Sequence, residues 1–148
     1  RVYHRRDAVR LTKGADYATR GIIHLARMAP STVMLVSDIA MAEGLPESYL
    51  AKIFQDLAKE GIVRSHRGAK GGFSLARPAE QITLREIVEA IEGPIALNRC
   101  LAPWEGCERS DRCPVHPVLE RAQQQFLAVL DGTTLSDLAN GRCYRRPG

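Results

Sequence analysis

No apolar run in this chain approaches the ~20 residues that span a bilayer. The opening RVYHRRDAV also lacks the apolar core of a secretory signal. Both absences lead us to expect a cytoplasmic protein with no membrane partner. Internal repeats and low-complexity segments are missing too. So are a cofactor-binding loop and any paired base and nucleophile, which argues against an enzyme. Cysteine is scarce, with four in 148 residues, and three of them fall between Cys100 and Cys113. A chain of this length buries enough apolar surface to fold without a metal or a disulfide, so those three need another explanation. Acidic residues are absent from Gly61 to Ala79, a stretch that holds Arg64, Arg67, Lys70 and Arg77.

That local imbalance is part of a larger one. Residues 1–79 carry 13 Lys and Arg against 7 Asp and Glu, whereas residues 80–148 carry 8 against 10. The first part is the expected face for a polyanion.

Residues 1–8 show no apolar period and are set aside as an N-terminal extension or remnant. A first helix is predicted from Thr12, as N-cap, to about Met28, with Tyr17, Gly21, Leu25 and Met28 on one stripe and Pro30 ending it. A short second helix takes Ser37 as N-cap, turns Ile39 and Ala40 inward and stops at Gly44. After the tight Gly44-Leu45-Pro46 turn, Leu50, Ile53, Phe54 and Leu57 mark a third helix at i, i+3, i+4 and i+7. Two helices joined by so short a glycine-containing turn read as a helix-turn-helix.

IVRSHRG and GGFSLARP are β-prone runs separated by Ala69-Lys70-Gly71-Gly72, a hairpin signal. Thr83 to Glu86 fits a capping box that opens a helix with Leu84, Ile87, Val88 and Ile91 on its apolar stripe. Beyond a loop at 98–116, Pro117 to about Leu130 reads as a long helix, with Leu119, Ala122, Phe126, Val129 and Leu130 inward. A capped turn follows at Thr134 to Asp137. The fold class is therefore mainly α with a small β-hairpin. A winged helix-turn-helix domain occupies 9–82, and the linker helix, cysteine loop and long helix occupy 83–148.

In a winged helix-turn-helix, the helix after the turn fits the major groove while the hairpin reaches over the backbone or into the minor groove. Ser48, Tyr49, Lys52 and Gln55 are then the outward residues of the recognition helix. Arg64, Arg67 and Lys70 meet phosphates, with Arg67 at the tip inserted into the minor groove. The plainer reading is a solvated basic surface. The coincidence of an acid-free stretch with the hairpin favours double-stranded DNA.

The loop CLAPWEGCERSDRCPVH admits disulfides, zinc, an iron-sulfur cluster, redox thiols or plain burial. A reducing cytosol disfavours the first. The x6 and x5 gaps between Cys100, Cys107 and Cys113 are not the C-x2-C knuckle of zinc ribbons. Wider gaps suit a cluster, whose iron atoms are spread over several ångströms. Cys113 near the start of the long helix, with Arg109 and Arg112 close by, favours a thiolate. His116, three residues on, competes with Asp16 of the first helix for a fourth position. Each also has a bland reading, as a solvent-exposed or capped histidine and an early-helix acid. Cys143 stands apart as a bystander.

VRLTKGADYATR from Val9, LAKIFQDLAKEGIVRSHRGAKGGFSLARP from Leu50 and ITLREIVEAIEGP from Ile82 together resemble the Rrf2 family of winged-helix transcriptional regulators, which includes IscR-like and NsrR-like members. TTLSDLA near the end matches as well, so the resemblance runs from Val9 to about Asn140. It implies that Cys100, Cys107 and Cys113 are cluster ligands. His116 would complete a [2Fe-2S] site as in IscR-like members, or Asp16 a [4Fe-4S] site as in NsrR-like ones. It further implies a homodimer formed through the long helix, with helix one of one subunit near the partner's cluster loop, on a palindromic promoter operator. Two departures stand out. The first cysteine gap is six residues rather than the usual five, and Ala51 replaces a glutamate that IscR-like members use to choose between classes of DNA site.

The expectation is a homodimeric DNA-binding regulator that senses iron-sulfur status, nitric oxide or redox state through a cluster that air readily strips. The competing readings are a cluster-free regulator responding to thiol oxidation or a protein partner, and a small electron-transfer protein.

Overall fold

The computed structural model describes residues 11–69 and 71–141. Lys70, Cys143 and the extension at 1–8 therefore lie outside the described residues. The element order is α1 (Lys13–Ala26), α2 (Val36–Glu43), α3 (Glu47–Lys59), β1 (Val63–His66), β2 (Gly72–Leu75), α4 (Leu84–Glu92), α5 (His116–Asp131) and α6 (Leu135–Ala139). Short 3-10 turns at Ala79–Gln81 and Arg99–Leu101 complete it. Among the described residues no helix is long and apolar enough to cross a membrane.

Thr12 caps α1 by accepting the Ala15 N–H, as its residue type predicts. The helix ends at Ala26 rather than at Met28. Its buried face is Gly14, Ala15, Ala18, Gly21, Ile22 and Leu25, with Met28 exposed. Small residues on that face let α3 approach closely: a side chain at Gly21 would press on Phe54 and Leu50. α2 begins earlier than Ser37 implies. Leu35 is its N-cap, and the Leu35 carbonyl accepts from Asp38 and Ile39 without any side-chain cap. Leu50, Ile53, Phe54 and Leu57 of α3 are all buried, and with Ile22, Ile39, Ile62, Ile82, Ile87 and Leu135 they form one core.

β1 and β2 pair antiparallel with Val63 opposite Leu75 and His66 opposite Gly72. An isolated bridge from outside the hairpin pairs with β2. Met34 N–H donates to the Phe73 carbonyl at 2.9 Å and Phe73 N–H to the Met34 carbonyl at 2.8 Å, bridging the α1–α2 connection to the wing.

Two capping boxes face each other further along. Thr83 with Glu86 opens α4 and Thr134 with Asp137 opens α6. The chain forms an antiparallel bridge between these two threonines. Leu84 N–H donates to Thr133 and Leu135 N–H to Ile82, at 2.9 and 2.8 Å. The segment after α5 is thus stitched to the start of α4, and Leu135 is fully buried in the core.

α5 corrects one expectation. Of the residues read as inward, only Leu130 is buried, while Phe126 and Val129 are 39% and 57% exposed and Ala122 is also exposed. The apolar stripe exists, but the described residues leave it exposed. Arg85 ties α4 to the end of α5, with Nη1 2.9 Å from Asp131 and Nε 3.3 Å from Glu89. Its hydrogen bond to Asp131, opposed by slight desolvation and helped by Glu89, raises an already high pKa. The arginine side of that link therefore stays charged at any pH at which the protein is folded.

Gly72 sits at φ +144°, and a Cβ there would fall onto the Met34 carbonyl. Gly72→Ala is expected to destabilise the protein by about 2 kcal/mol or more, since it combines positive φ with a backbone clash. Urea unfolding against the wild type measures the effect.

Candidate nucleic-acid interface and cysteine loop

α3 presents its polar side away from the core. Ser48, Tyr49, Lys52 and Gln55 are all exposed, as are Arg64 on β1 and Arg67 at the hairpin tip. Freedom from partners separates the cations of this group from those of the scaffold. Arg77 bonds Glu86 at 3.0 Å, Arg85 bonds Asp131 and Glu89, and Arg20 lies 4.0 Å from Asp16. Among the described residues Lys52, Arg64 and Arg67 have no acidic or hydrogen-bonding partner. An unpaired cation on an exposed face needs no internal bond broken before it meets a phosphate.

The wing is held in register with α3 by two contacts that the sequence did not signal. The Phe73 ring packs on Phe54 at 5.3 Å between centroids, and the Met34 bridge fixes the opposite edge of its strand. Ser74, the buried polar residue of β2, bonds His66 Nε2 at 2.7 Å next to Arg67.

Tyr49 is exposed yet also reaches inward from the start of α3. Its ring meets Tyr17 edge-on at 5.7 Å, and its hydroxyl occupies the space a side chain at Gly14 would need. It lines a groove of about 830 Å³ together with Ile91, Ile95, Leu97, Trp104 and Phe126. One wall of this groove is the approach to the cysteine loop.

The loop leaves α4 at Gly93 and is tied down by two backbone donors. Ile95 N–H bonds Glu89 Oε1 at 3.2 Å on α4, and Leu97 N–H bonds Gln123 Oε1 at 2.9 Å on α5. Cys100 lies half-buried in the 3-10 turn, its sulfur 3.8 Å from Asn98 Nδ2. Cys107 is exposed in a shallow hollow with Arg99, Glu105 and Arg109. Cys113 is half-buried, and all three thiols are free. Because α5 starts at His116, Cys113 stands three residues ahead of the helix rather than at its first turn. Its carbonyl accepts the His116 N–H at 3.2 Å.

His116 Nε2 lies 3.6 Å from Glu120 Oε2, and its Nδ1 is buried with no partner. Asp16 is well exposed on α1, beside Arg20. Among the described residues no three His, Cys, Asp or Glu side chains converge closely enough to hold a metal ion. Three free thiols and an imidazole nitrogen without a partner nonetheless fit, as a donor set, the cluster that the resemblance implies. Glu120 escapes sequence reading, although a histidine followed four residues later by an acid on a helix is a signal that flags it.

Comparison with known proteins extends the picture. The sequence profile of the Rrf2 family, described as an iron-dependent transcriptional regulator, matches residues 11–141. A Mycobacterium tuberculosis protein named as a putative HTH-type transcriptional regulator, Rv1287, is 34% identical over 133 residues, covering 90% of this chain and 83% of its own length. Among solved structures, the global cysteine regulator CymR of B. subtilis superposes with a TM-score of 0.70 at 29% identity, over 90% of this chain and 98% of that one. IscR of T. potens superposes with a TM-score of 0.73 at 25% identity, over 95% of each chain.

Replacing Arg67 by alanine is expected to weaken duplex binding and to lower the slope of log K against log salt by about 1, as for one lost phosphate contact. Fluorescence anisotropy across a salt series reads both quantities.

Proposed function

Because the chain belongs to the Rrf2 family of transcriptional regulators, we propose that it acts in the cytoplasm as a homodimer on a palindromic promoter operator and senses iron-sulfur status, nitric oxide or redox state. Ser48, Tyr49, Lys52 and Gln55 meet bases and backbone in the major groove. Arg64, Arg67 and Lys70 neutralise phosphates, with Arg67 at the hairpin tip also entering the minor groove. Cys100, Cys107 and Cys113 hold an iron-sulfur cluster that His116 or Asp16 completes. When bound, that group supplies a centre sensitive to oxidants and nitric oxide.

The observation that carries this reading is the attachment of the loop. The segment bearing three free thiols is bonded through Ile95 and Leu97 to α4 and α5. α4 in turn holds α1, with Thr12 N–H donating to Glu92 Oε1 at 2.6 Å. A change in the loop is thereby felt by the helices that support α3. The coupling is reciprocal at equilibrium, so operator DNA alters the affinity of the loop for its cofactor by the same factor.

The exposed stripe of α5 and the residue before it, Val115, Val118, Phe126 and Val129, supplies the dimer surface. Two recognition helices one DNA turn apart then read the two half-sites.

The decisive experiment is visible absorption of anaerobically purified protein, with iron and acid-labile sulfide assayed on the same sample. Structured absorption with stoichiometric sulfide is the expected result. A colourless protein that resists reconstitution would overturn the cluster and leave a thiol-based regulator. Val129→Glu is expected to leave the fold intact, since the side chain is exposed, and to shift the protein to monomer in sedimentation velocity.

A further inference from the structure

The wing carries a titratable ring among its fixed cations, and the role inferred for it rests on the reading of the wing as a DNA contact. His66 is the last residue of β1, immediately before Arg67 at the hairpin tip. Side chains alternate along a strand, so His66 shares a face with Arg64 two residues back. Ser74 lies opposite Arg64 in the register and is only 5% exposed. Its Oγ stands 2.7 Å from His66 Nε2.

A hydroxyl both donates and accepts. Ser74 Oγ–H donates to a bare Nε2, or Ser74 Oγ accepts from a protonated one, so the ring is anchored in either charge state. Among the described residues Nδ1 is neither bonded nor buried, which leaves it as the nitrogen open to an outside partner.

The charges around the ring are of one sign. Arg64 and Arg67 flank it, no acid occurs from Gly61 to Ala79, and no described carboxylate comes within ion-pair distance of it. The helices that touch the hairpin are α3 and α1. On α3, Asp56 lies 3.9 Å from Lys59, Glu60 lines a hollow with Glu86 and Glu89 of α4, and Lys52 is an exposed cation. At the end of α1, His24 bonds Glu43 and Arg27 bonds the Ala139 carbonyl. Glu80, beyond β2, shares a hollow with Arg64 at the foot of the wing, the end away from the tip. The protein therefore offers an imidazolium at His66 no counter-charge, whereas a DNA phosphate does.

We propose that His66 is a phosphate-contacting residue of the wing that takes up a proton from solvent as DNA docks. Nδ1–H of the imidazolium then donates to a phosphate oxygen while Nε2–H donates to Ser74. Imidazole changes charge between about pH 5 and 8, where arginine does not. The number of wing cations on the DNA is thus set by pH, and linkage requires binding to tighten as pH falls.

The test uses full-length protein and a fluorescent duplex that the wild type itself selects from a random-sequence pool. Anisotropy is read from about pH 6 to pH 8 at fixed ionic strength. The wild type should bind about 5-fold or more tightly near pH 6 than near pH 8, within the limit of one proton, and its salt slope should steepen by up to about 1. His66→Gln should lose most of that gain, and His24→Gln should keep it. A measurement on the wild type alone guards against a misfolded variant: in histidine-labelled protein, adding the duplex should move the NMR titration of the His66 ring to higher pH.

A wild-type pH dependence that survives in His66→Gln, or a His66 titration that the duplex leaves in place, would overturn the proposal while leaving DNA binding intact. Loss of the gain in His24→Gln instead would assign the proton to the α1–α2 contact and overturn it too. A wild type that selects no duplex at any pH would sink the DNA-binding reading, and the role of His66 with it.

Discussion

The two hydrogen bonds between Met34 and Phe73 are the constraint on which the DNA-facing architecture depends. A two-stranded hairpin alone is marginal in water. Here it gains a single antiparallel bridge from Met34 in the α1–α2 connection and an aromatic contact from α3 through Phe54. Gly72 is the residue that makes this approach feasible, because any side chain there would collide with Met34. The relative placement of the wing and the recognition helix thus follows from backbone bonding and one ring contact. Among the described residues, Lys52, Arg64 and Arg67, the cations proposed to meet DNA, have no ion-pair or hydrogen-bond partner.

Much of this fold is legible in the chain because burial imposes a period. Leu50, Ile53, Phe54 and Leu57 repeat at helical spacing because one face of α3 must be dry. Thr83 and Thr134 announce their helices because their hydroxyls satisfy donors that would otherwise be orphaned. Ser37 misleads because α2 is started by a backbone carbonyl, which leaves no mark on residue type. The Met34 bridge is invisible for a related reason: pairing between distant backbones is not written in either partner's side chain.

The second half is harder to read. Periodicity shows that α5 has an apolar stripe but not which body covers it, so Phe126 and Val129 look like core residues and are exposed. Cys100, Cys107 and Cys113 lie on a loop with no repeating pattern, so their types and gaps point to a class of ligand and say nothing of where the sulfurs lie relative to one another. The unpartnered Nδ1 of His116 comes only from three-dimensional packing. Family membership then adds the regulatory context that neither periodicity nor packing contains.

The bridge between Thr83 and Thr134 has a topological consequence. α4 stays packed in the core through Ile87 and Val88, and from its far end the cysteine loop and α5 run out and return to the seam at Thr133 and Thr134, like a handle on a cup. Chain closure costs little more for a longer handle than for a shorter one. The cysteine spacing and the loop's length can therefore vary without disturbing the seam, and Leu135 stays locked in the core whatever the handle carries.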